Sequence, residues 1–242
     1  MQYIRSSINY FVEMSSTFMI PGPQGKIEAI YHTTKQSSNV VLLASPHPKW
    51  EGLLDHSVMF TIYRSFVRCK FDVLRFNYRG TGKSTGTFSN GEGEISDAEA
   101  CLNWLSDRYF PKARYWVAGY SFGAWIGMQI LMRRPECERF VGVALRPNLY
   151  PFDFLAPCPH PGLIVHGTED TVTPCDLVVR LAYQLSAQKR GQKINLKLIP
   201  DGDEKFSTHL RDLEDIISNY IEKEMESLEP SFSRESVQGI GL

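Results

Sequence analysis

Short apolar runs alternate through this chain with segments whose apolar residues recur at helical spacing. The runs VVLLAS, FDVLRFN, RYWVAG, RFVGVAL, GLIVHG and INLKLIP have the length and composition of buried strands. Segments such as FGAWIGMQILMRR and PCDLVVRLAYQLSAQK have the period of amphipathic helices. In ISDAEACLNWL, Ser96 followed by Glu99 has the spacing of a capping box at a helix start. This alternation predicts an α/β fold with a mostly parallel central sheet and helices on both faces.

The two ends of the chain depart from this pattern. Near the start, STFMIP and KIEAIYH flank the turn-forming GPQG, which predicts an antiparallel hairpin at one edge of the sheet. The body shows no internal repeat and no linker-like composition, so we expect a single domain over residues 17–226. Residues 1–16 then form an N-terminal extension, and the polar residues 227–242 form a flexible tail.

Charge and composition narrow the function. The formal net charge is −1, so no overall field favours nucleic acid or an acidic membrane. No apolar run approaches the ~18 residues of a transmembrane helix. The five cysteines form no CxxC pair, and an odd number suits a disulfide framework poorly, so we expect a reduced, cytoplasmic setting. No Cys/His spacing suggests a metal, and no cofactor is expected.

One loop raises the question of nucleotide binding. RGTGKST, residues 79–85, follows a predicted strand and matches the second half of Gly-x4-Gly-Lys-Ser/Thr, the phosphate-binding pattern. The first glycine of that pattern falls on Asn77, and the Gly-rich residues that follow allow no helix start before about Glu94. Because phosphate binding uses the N–H groups of an immediate helix N-terminus, we favour a turn that crosses the sheet edge, where ligands bind in α/β proteins.

The main candidate for chemistry is GYSFG, residues 119–123, between a predicted strand and a predicted helix. G-x-S-x-G at such a junction is the pattern of a nucleophile elbow, so Ser121 is the candidate nucleophile; a structural glycine turn is the alternative. The fold supplies a carboxylate and then a histidine later in the chain. Asp170, in the loop after GLIVHG, is the candidate acid, although it could instead cap the next helix.

With these segments the chain resembles the α/β-hydrolase superfamily, closest to small bacterial lidless serine hydrolases with a dienelactone-hydrolase-like core. The resemblance extends from about residue 17 to 225. It is carried by PHPKWEGLLDH, LRFNYRGTGKSTGTFSNGEGEISDA, WVAGYSFGAWIGMQILMRRPE, NLYPFDFLAPCP and GLIVHGTEDTVTP. It implies an eight-stranded sheet, a Ser/Asp/His triad and hydrolysis of an ester or similar acyl bond. Ser121 and Asp170 map onto the family's nucleophile and acid, and RFNYRGTGKS onto its strand-to-loop segment.

The resemblance also implies an oxyanion hole between the elbow and the first loop. One N–H group would come from Phe122. The other would come from the loop SPHP, residues 45–48, where the family typically has HPHP. Its two prolines have no N–H, which leaves His47, Lys49 or Trp50, and His47 is our candidate.

The base is where the chain departs from the family. The family has PGAxHFF after the last strand; this chain has IPDGDEKFSTHL, which puts Glu204 at the histidine position. A glutamate, with a pKa of about 4.3 against about 6.5 for imidazole, is a poor base for serine. His209 is the only histidine after Asp170, so it is the candidate base if the protein is catalytic. Ser207 or Thr208 could instead cap the last helix and place His209 in its first turn.

Three functions compete at this point. The first is a serine hydrolase that acts on a small-molecule substrate through an acyl-enzyme. The second is a degenerate member of the same fold that binds a small molecule or a partner with little turnover, because the histidine position holds Glu204. Nucleotide binding is a distant third. The sequence leaves a homodimer open.

Overall fold

A computed structural model of the chain describes residues 15–34, 37–49, 56–109, 111–155, 158–187 and 194–228. Within these ranges the strands are β1 (Ser15–Gly22), β2 (Gly25–His32), β3 (Asn39–Ala44), β4 (Asp72–Phe76), β5 (Arg114–Tyr120), β6 (Cys137–Val143), β7 (Gly162–Gly167) and β8 (Ile194–Ile199). They form one sheet in the order β1-β2-β4-β3-β5-β6-β7-β8. The β1–β2 and β2–β4 pairs are antiparallel and the others are parallel, which confirms the predicted sheet and its edge hairpin.

Helices cover both faces of this sheet. They are α1 (Ser57–Arg68), α2 (Glu92–Tyr109), α3 (Phe122–Arg133), α4 (Cys175–Ser186) and α5 (Leu210–Leu228), with a short 3-10 helix at Asp153–Leu155. Side chains of α2, α3 and α4 pack in one apolar core, and those of α1 and α5 pack in the other. None of the helices in the described part of the chain is long and apolar enough to cross a membrane.

The central strands supply both cores by strict alternation. In β3, Val40 and Leu42 face the first core, whereas Val41 and Leu43 face the second. Successive side chains of a strand point to opposite faces, so a strand covered on both sides is apolar throughout. Each such buried side chain contributes about 1.5–3 kcal/mol relative to exposure. Most of the predicted extension (residues 1–14) and of the predicted tail (residues 229–242) lies outside the described residues.

The start of α2 differs from the prediction. The helix begins at Glu92, and Ser96 lies inside it, donating its hydroxyl hydrogen bond to the Glu92 carbonyl. The carboxylate of Glu94 accepts hydrogen bonds from the backbone N–H groups of Ser89 and Gly91, at 3.0 and 2.7 Å. A carboxylate that reaches back over the first turn satisfies donors that the helix leaves unpaired. The prediction that Ser96 caps this helix was therefore wrong.

An ion pair and hydrogen bonds within the protein hold the glycine-rich loop after β4 in place. Arg79 and Asp97 form a buried bidentate ion pair, with donor–acceptor distances of 3.0 and 2.8 Å. The hydroxyl of Ser84 accepts from Glu28 N and donates to Asn77 O, at 2.8 and 2.7 Å. These contacts join the loop to β2 and α2, which supports its interpretation as a structural crossing turn.

Candidate active site

The backbone between β5 and α3 reverses sharply at Ser121. Its φ of 56° and ψ of −117° lie in a region that residues other than glycine rarely adopt. Such a conformation costs about 1–3 kcal/mol and persists only where the surroundings enforce it. Here Ser121 N donates to Val143 O at 2.9 Å and Ala124 N donates to Ser121 O at 3.1 Å. Neighbouring β6 and the first turn of α3 therefore hold Ser121 at the carboxyl edge of the sheet.

The two glycines that flank this turn are required by close backbone approaches. A Cβ on Gly119 would lie 2.4 Å from the carbonyl carbon and oxygen of Gly123. A Cβ on Gly123 would lie 2.2 Å from Ala44 O and 2.4 Å from Ser45 O. Real Cβ atoms essentially never approach backbone atoms so closely, so both positions need glycine. The G-x-S-x-G pattern thus encodes the packing of the elbow against the loop after β3.

We expect Gly123→Ala to destabilise the fold by about 1–3 kcal/mol, because the added methyl must displace the backbone of the loop after β3. Urea denaturation followed by circular dichroism measures the change in the free energy of unfolding. Gly127→Ala in α3 is the matched control, since its Cβ would meet its nearest neighbours at 3.8 Å, an ordinary contact. Alanine should stabilise that helix position by up to about 1 kcal/mol. Equal stability of the two variants would contradict the packing argument.

A guanidinium occupies the position next to the candidate nucleophile. Arg146 Nε donates a hydrogen bond to Ser121 Oγ at 2.5 Å, and Arg146 is only 4% exposed. Arg146 is the third residue after β6, so it reaches the same sheet edge as Ser121. Sequence reasoning missed this residue, although a charged side chain immediately after the apolar run RFVGVAL was a usable signal. The hydroxyl of the candidate nucleophile is therefore engaged by a buried positive charge.

Asp170 lies buried in the loop that follows β7. Its Oδ1 accepts hydrogen bonds from the backbone N–H groups of Val172 and Thr173, both at 2.8 Å. Its Oδ2 has no hydrogen-bond partner among the described residues. The bonds to Oδ1 close a turn within the loop before α4, and the N-cap of α4 is Pro174, which has no side-chain cap. The alternative that Asp170 caps this helix was therefore wrong, and the Oδ2 of Asp170 remains an acceptor for a donor.

The imidazole of His166 lies beside this carboxylate. Its Nε2 is 3.8 Å from Asp170 Oδ2 and 3.0 Å from the carbonyl oxygen of Thr173. Burial lowers the pKa of His166, so the ring is neutral near pH 7. A neutral ring close to a carbonyl carries its proton on Nε2 and donates to Thr173 O. His166 therefore packs and bonds within the loop.

A cleft of about 240 Å³ opens beside the elbow. Its lining is Tyr120, Arg146, Leu149, Tyr150, Val172, Glu204 and Lys205. The hydroxyl of Tyr120 donates to the backbone carbonyl of Glu204 at 2.8 Å, which ties the segment after β8 to the elbow. Glu204, at the position of the family histidine, therefore lines the same cleft as the arginine that contacts Ser121.

The candidate base, His209, lies in the turn that leads into α5. Its Nδ1 pairs with the hydroxyl of Thr208 at 3.0 Å, and its carbonyl accepts from Leu213 N at 3.0 Å. Its backbone N–H donates to Phe206 O at 2.9 Å. His209 therefore immediately precedes the first helical residue, Leu210. The hydroxyls of Ser207 and Thr208 bond to Asp203 and His209 instead of capping the helix. The role of His209 as base stays a prediction.

The two oxyanion candidates lie next to each other. The rings of His47 and Phe122 pack with centroids 5.1 Å apart. His47 Nδ1 accepts from Lys49 N at 3.1 Å, and burial lowers the pKa of His47. Phe122 is the first residue of α3, so its N–H has no acceptor within the helix. The oxyanion roles of both residues stay predictions, and the alternative donor Trp50 lies outside the described residues.

The chain belongs to the α/β-hydrolase family: the family's sequence model, described as the alpha/beta hydrolase fold, matches residues 50–173. An α/β hydrolase of unknown function from Agrobacterium tumefaciens is 38% identical, with a TM-score of 0.84, over 88% of this chain and 98% of that one. An α/β serine hydrolase homologue from Coxiella burnetii is 26% identical, with a TM-score of 0.75, over 85% and 96% of the two chains. Family membership supports a hydrolase in general.

A third structure bears on the architecture alone. A serine hydrolase without a lid from Xanthomonas campestris shares 23% identity and a TM-score of 0.76 over 86% of this chain and 94% of that one. In the present chain only residues 144–161 separate β6 from β7, and they contain a single short 3-10 helix among those described. The predicted placement in the lidless group is confirmed at the level of the fold.

Proposed function

We propose that this protein is a serine hydrolase that cleaves an ester or similar acyl bond of a small molecule through an acyl-enzyme. The observation that carries the proposal is Ser121 itself. It is held at φ 56° on a strand-to-helix turn, at the sheet edge where α/β proteins bind ligands. The cleft beside it, with aromatic, apolar and charged walls, supplies room for a small substrate. A cytoplasmic setting agrees with five cysteines that are all free.

In the proposed reaction Ser121 Oγ attacks the acyl carbon and a base takes its proton. The C–O bond to the leaving group then breaks, and the base returns the proton to the departing alcohol. Water hydrolyses the acyl-enzyme by the same steps and regenerates the serine. We assign the base to His209 and the carboxylate that stabilises its imidazolium to Asp170. The N–H groups of Phe122 and His47 would receive the oxyanion. His209 must leave Thr208 to reach Ser121, so the proposal requires the turn before α5 to rearrange.

A fluorophosphonate probe tests the proposal directly. We expect it to modify Ser121 and no other hydroxyl when the folded protein is incubated between pH 6 and pH 9. Peptide mapping by mass spectrometry locates the adduct, and Ser121→Ala should carry none. Ser84→Ala is the matched control, because Ser84 bonds to backbone groups in a loop outside the cleft. Absence of an adduct at Ser121 in folded protein would overturn the hydrolase proposal.

The structure also favours a second function, binding of a small molecule with little turnover. Arg146 donates a hydrogen bond to the hydroxyl of Ser121, and Glu204 lies at the position where the family has its histidine. A carboxylate is a weaker base than an imidazole and accepts a serine proton less readily. This function predicts that Ser121 is labelled slowly and that no ester is turned over steadily. Steady hydrolysis of a short-chain aryl ester, lost in Ser121→Ala, would exclude it.

A further inference from the structure

We propose that the cleft beside Ser121 binds one uncharged aromatic ring of the substrate on an apolar wall formed by Leu149, Tyr150 and Val172. The inference rests on the proposed function, because it names the substrate class of the same site: esters that carry a single aromatic ring next to the scissile bond. It follows from the exposed apolar side chains of the wall, from the contacts that hold the wall in place and from the size of the cleft.

Two exposed apolar side chains line this cleft. Leu149, in the segment after β6, is 49% exposed, and Val172, in the loop after β7, is 39% exposed. In the part of the chain that the structure describes, the other exposed large apolar side chains are Val179, Tyr183 and Leu198. Single exposed apolar residues are common, whereas two that converge on one concave site from different loops mark a surface for a ligand.

The side-chain amide of Asn148 joins the two loops of the apolar wall. Its Nδ2 donates to the carbonyl oxygen of Val172 at 2.9 Å, and its Oδ1 accepts from the hydroxyl of Thr173 at 2.8 Å. Leu149 and Tyr150 follow Asn148 directly in the chain, so these bonds fix their position relative to Val172. A wall that is ordered in advance loses little conformational freedom when a ligand binds to it.

The ring of Tyr150 connects the apolar wall to the elbow. It stacks on Trp125 with ring centroids 5.3 Å apart and packs edge-on against Phe122 at 5.5 Å. Trp125 Nε1 donates to Pro151 O at 2.8 Å, which ties the indole to the segment that carries Tyr150. Phe122 follows Ser121 directly, so these contacts bring Tyr150 to the elbow. Aromatic rings gain from stacking or edge-to-face contact beyond what their buried area contributes, so Tyr150 favours a flat ring.

The size of the cleft limits the group that it can hold. Its volume is about 240 Å³. An apolar cavity of about 150 Å³ takes one benzene molecule, whereas sites for drug-sized ligands start at about 300 Å³. A single six-membered ring with its link to the ester therefore fills the cleft, and a fused ring system would extend beyond it.

The first test measures kcat/KM for methyl phenylacetate and for benzyl acetate, each divided by the value for methyl acetate after correction for the alkaline hydrolysis rates. We expect at least one of these two ring ratios to be about tenfold or more in the wild type, the lower end of what burial of a phenylalanine-sized group contributes. Val172→Thr should lower that ratio about threefold, because a hydroxyl replaces a methyl group on the wall. Val179→Thr is the matched control and should keep the wild-type ratio, since Val179 is also 39% exposed but lies on α4 outside the lining of the cleft.

The second test separates a flat ring from a group that is only apolar. Methyl cyclohexylacetate is compared with methyl phenylacetate, and cyclohexylmethyl acetate with benzyl acetate. In the pair that shows the ring ratio, the wild type should prefer the aromatic ester about threefold or more, and Tyr150→Leu should bring the two values together. Equal values in the wild type overturn the choice of an aromatic ring. If Tyr150→Leu does not fold, Val172→Thr and its control still decide the inference.

Ring ratios near one for both esters, or a ratio that Val172→Thr leaves unchanged, overturn the inference while the hydrolase proposal stands. If none of the esters is hydrolysed, the hydrolase proposal fails and binding still decides the inference. Saturation-transfer NMR should then detect methyl phenylacetate or benzyl acetate on the wild type but not on Leu149→Asp, which puts a charge on the wall. Leu198→Asp, at an exposed position of β8, is the control and should keep the signal. No signal on the wild type, or equal signals on the two aspartate variants, overturns the inference.

Discussion

Asp170→Asn is expected to slow ester hydrolysis by about 10⁴-fold, the loss that the corresponding change causes in a serine-protease triad. The fold should survive, because the remaining amide oxygen can still accept the two hydrogen bonds from Val172 N and Thr173 N. What the variant loses is Oδ2, the oxygen without a hydrogen-bond partner among the described residues, where an amide nitrogen cannot stabilise an imidazolium. Steady-state kinetics with a short-chain aryl ester, beside a thermal melt, measures both effects.

Asp176→Asn provides the matched control for this change. Asp176 lies in the first turn of α4 and pairs with Arg180 on the exposed helix surface. Its replacement should leave the hydrolysis rate within about twofold of the wild type, since exposed pairs contribute little. An Asp170→Asn variant that hydrolyses the ester as fast as the wild type would show that the acid lies elsewhere, and Glu169 in the same loop is the next candidate.

If the base was lost at position 204, so that His209 does not supply it, Glu204→His is expected to raise turnover by about 10²-fold or more, the contribution of a positioned general base. The substitution places an imidazole at the cleft wall beside Ser121 and leaves intact the hydrogen bond from Tyr120, which uses the Glu204 backbone carbonyl. Imidazole gains and loses a proton near neutral pH, so it can accept the serine proton, which a glutamate carboxylate does poorly. The gain should disappear in a double variant that also carries Asp170→Asn, since the new imidazole would then lack its carboxylate.

His209→Ala identifies the base of the natural sequence. If His209 supplies the base, the single variant loses turnover, whereas His209→Ala combined with Glu204→His retains it. Lys205→His is the control for Glu204→His, because it adds an imidazole one position further along the same loop, where the chain is more exposed. A rise in turnover with Lys205→His but not with Glu204→His would mean that the family position was aligned wrongly. If turnover is unchanged in His209→Ala, in Glu204→His and in Lys205→His, the binding function is favoured.

The fold could be predicted because local and overall patterns agree. Strands such as β3 are apolar at every position, and a strand buried on both faces permits nothing else. The sharp strand-to-helix turn at Ser121 could be predicted because Gly119 and Gly123 lie against backbone atoms, and a requirement for glycine is visible in sequence. The start of α2 was missed because a carboxylate that reaches backwards replaced the serine cap at Ser96.

The electrostatics of the site could not be predicted in the same way. Arg146 contacts Ser121 from 25 positions away in the chain, through the pairing of β5 with β6. A motif shows spacing along one segment, whereas this contact depends on how two segments lie side by side. The same reason limits the prediction for His209, because elimination along the chain identifies a residue type but not its position in space.

The hydrogen bond between Tyr120 and Glu204, 84 positions apart, has a consequence for how the protein is made. During synthesis the chain leaves the ribosome from its N-terminus, and parallel strands pair only after long intervening segments have emerged. Ser121 is synthesised halfway through, but the wall that contains Glu204 and Lys205 exists only when nearly all of β8 and the following loop are available. A nascent or prematurely terminated chain that lacks β8 and the following loop therefore carries Ser121 without the cleft beside it.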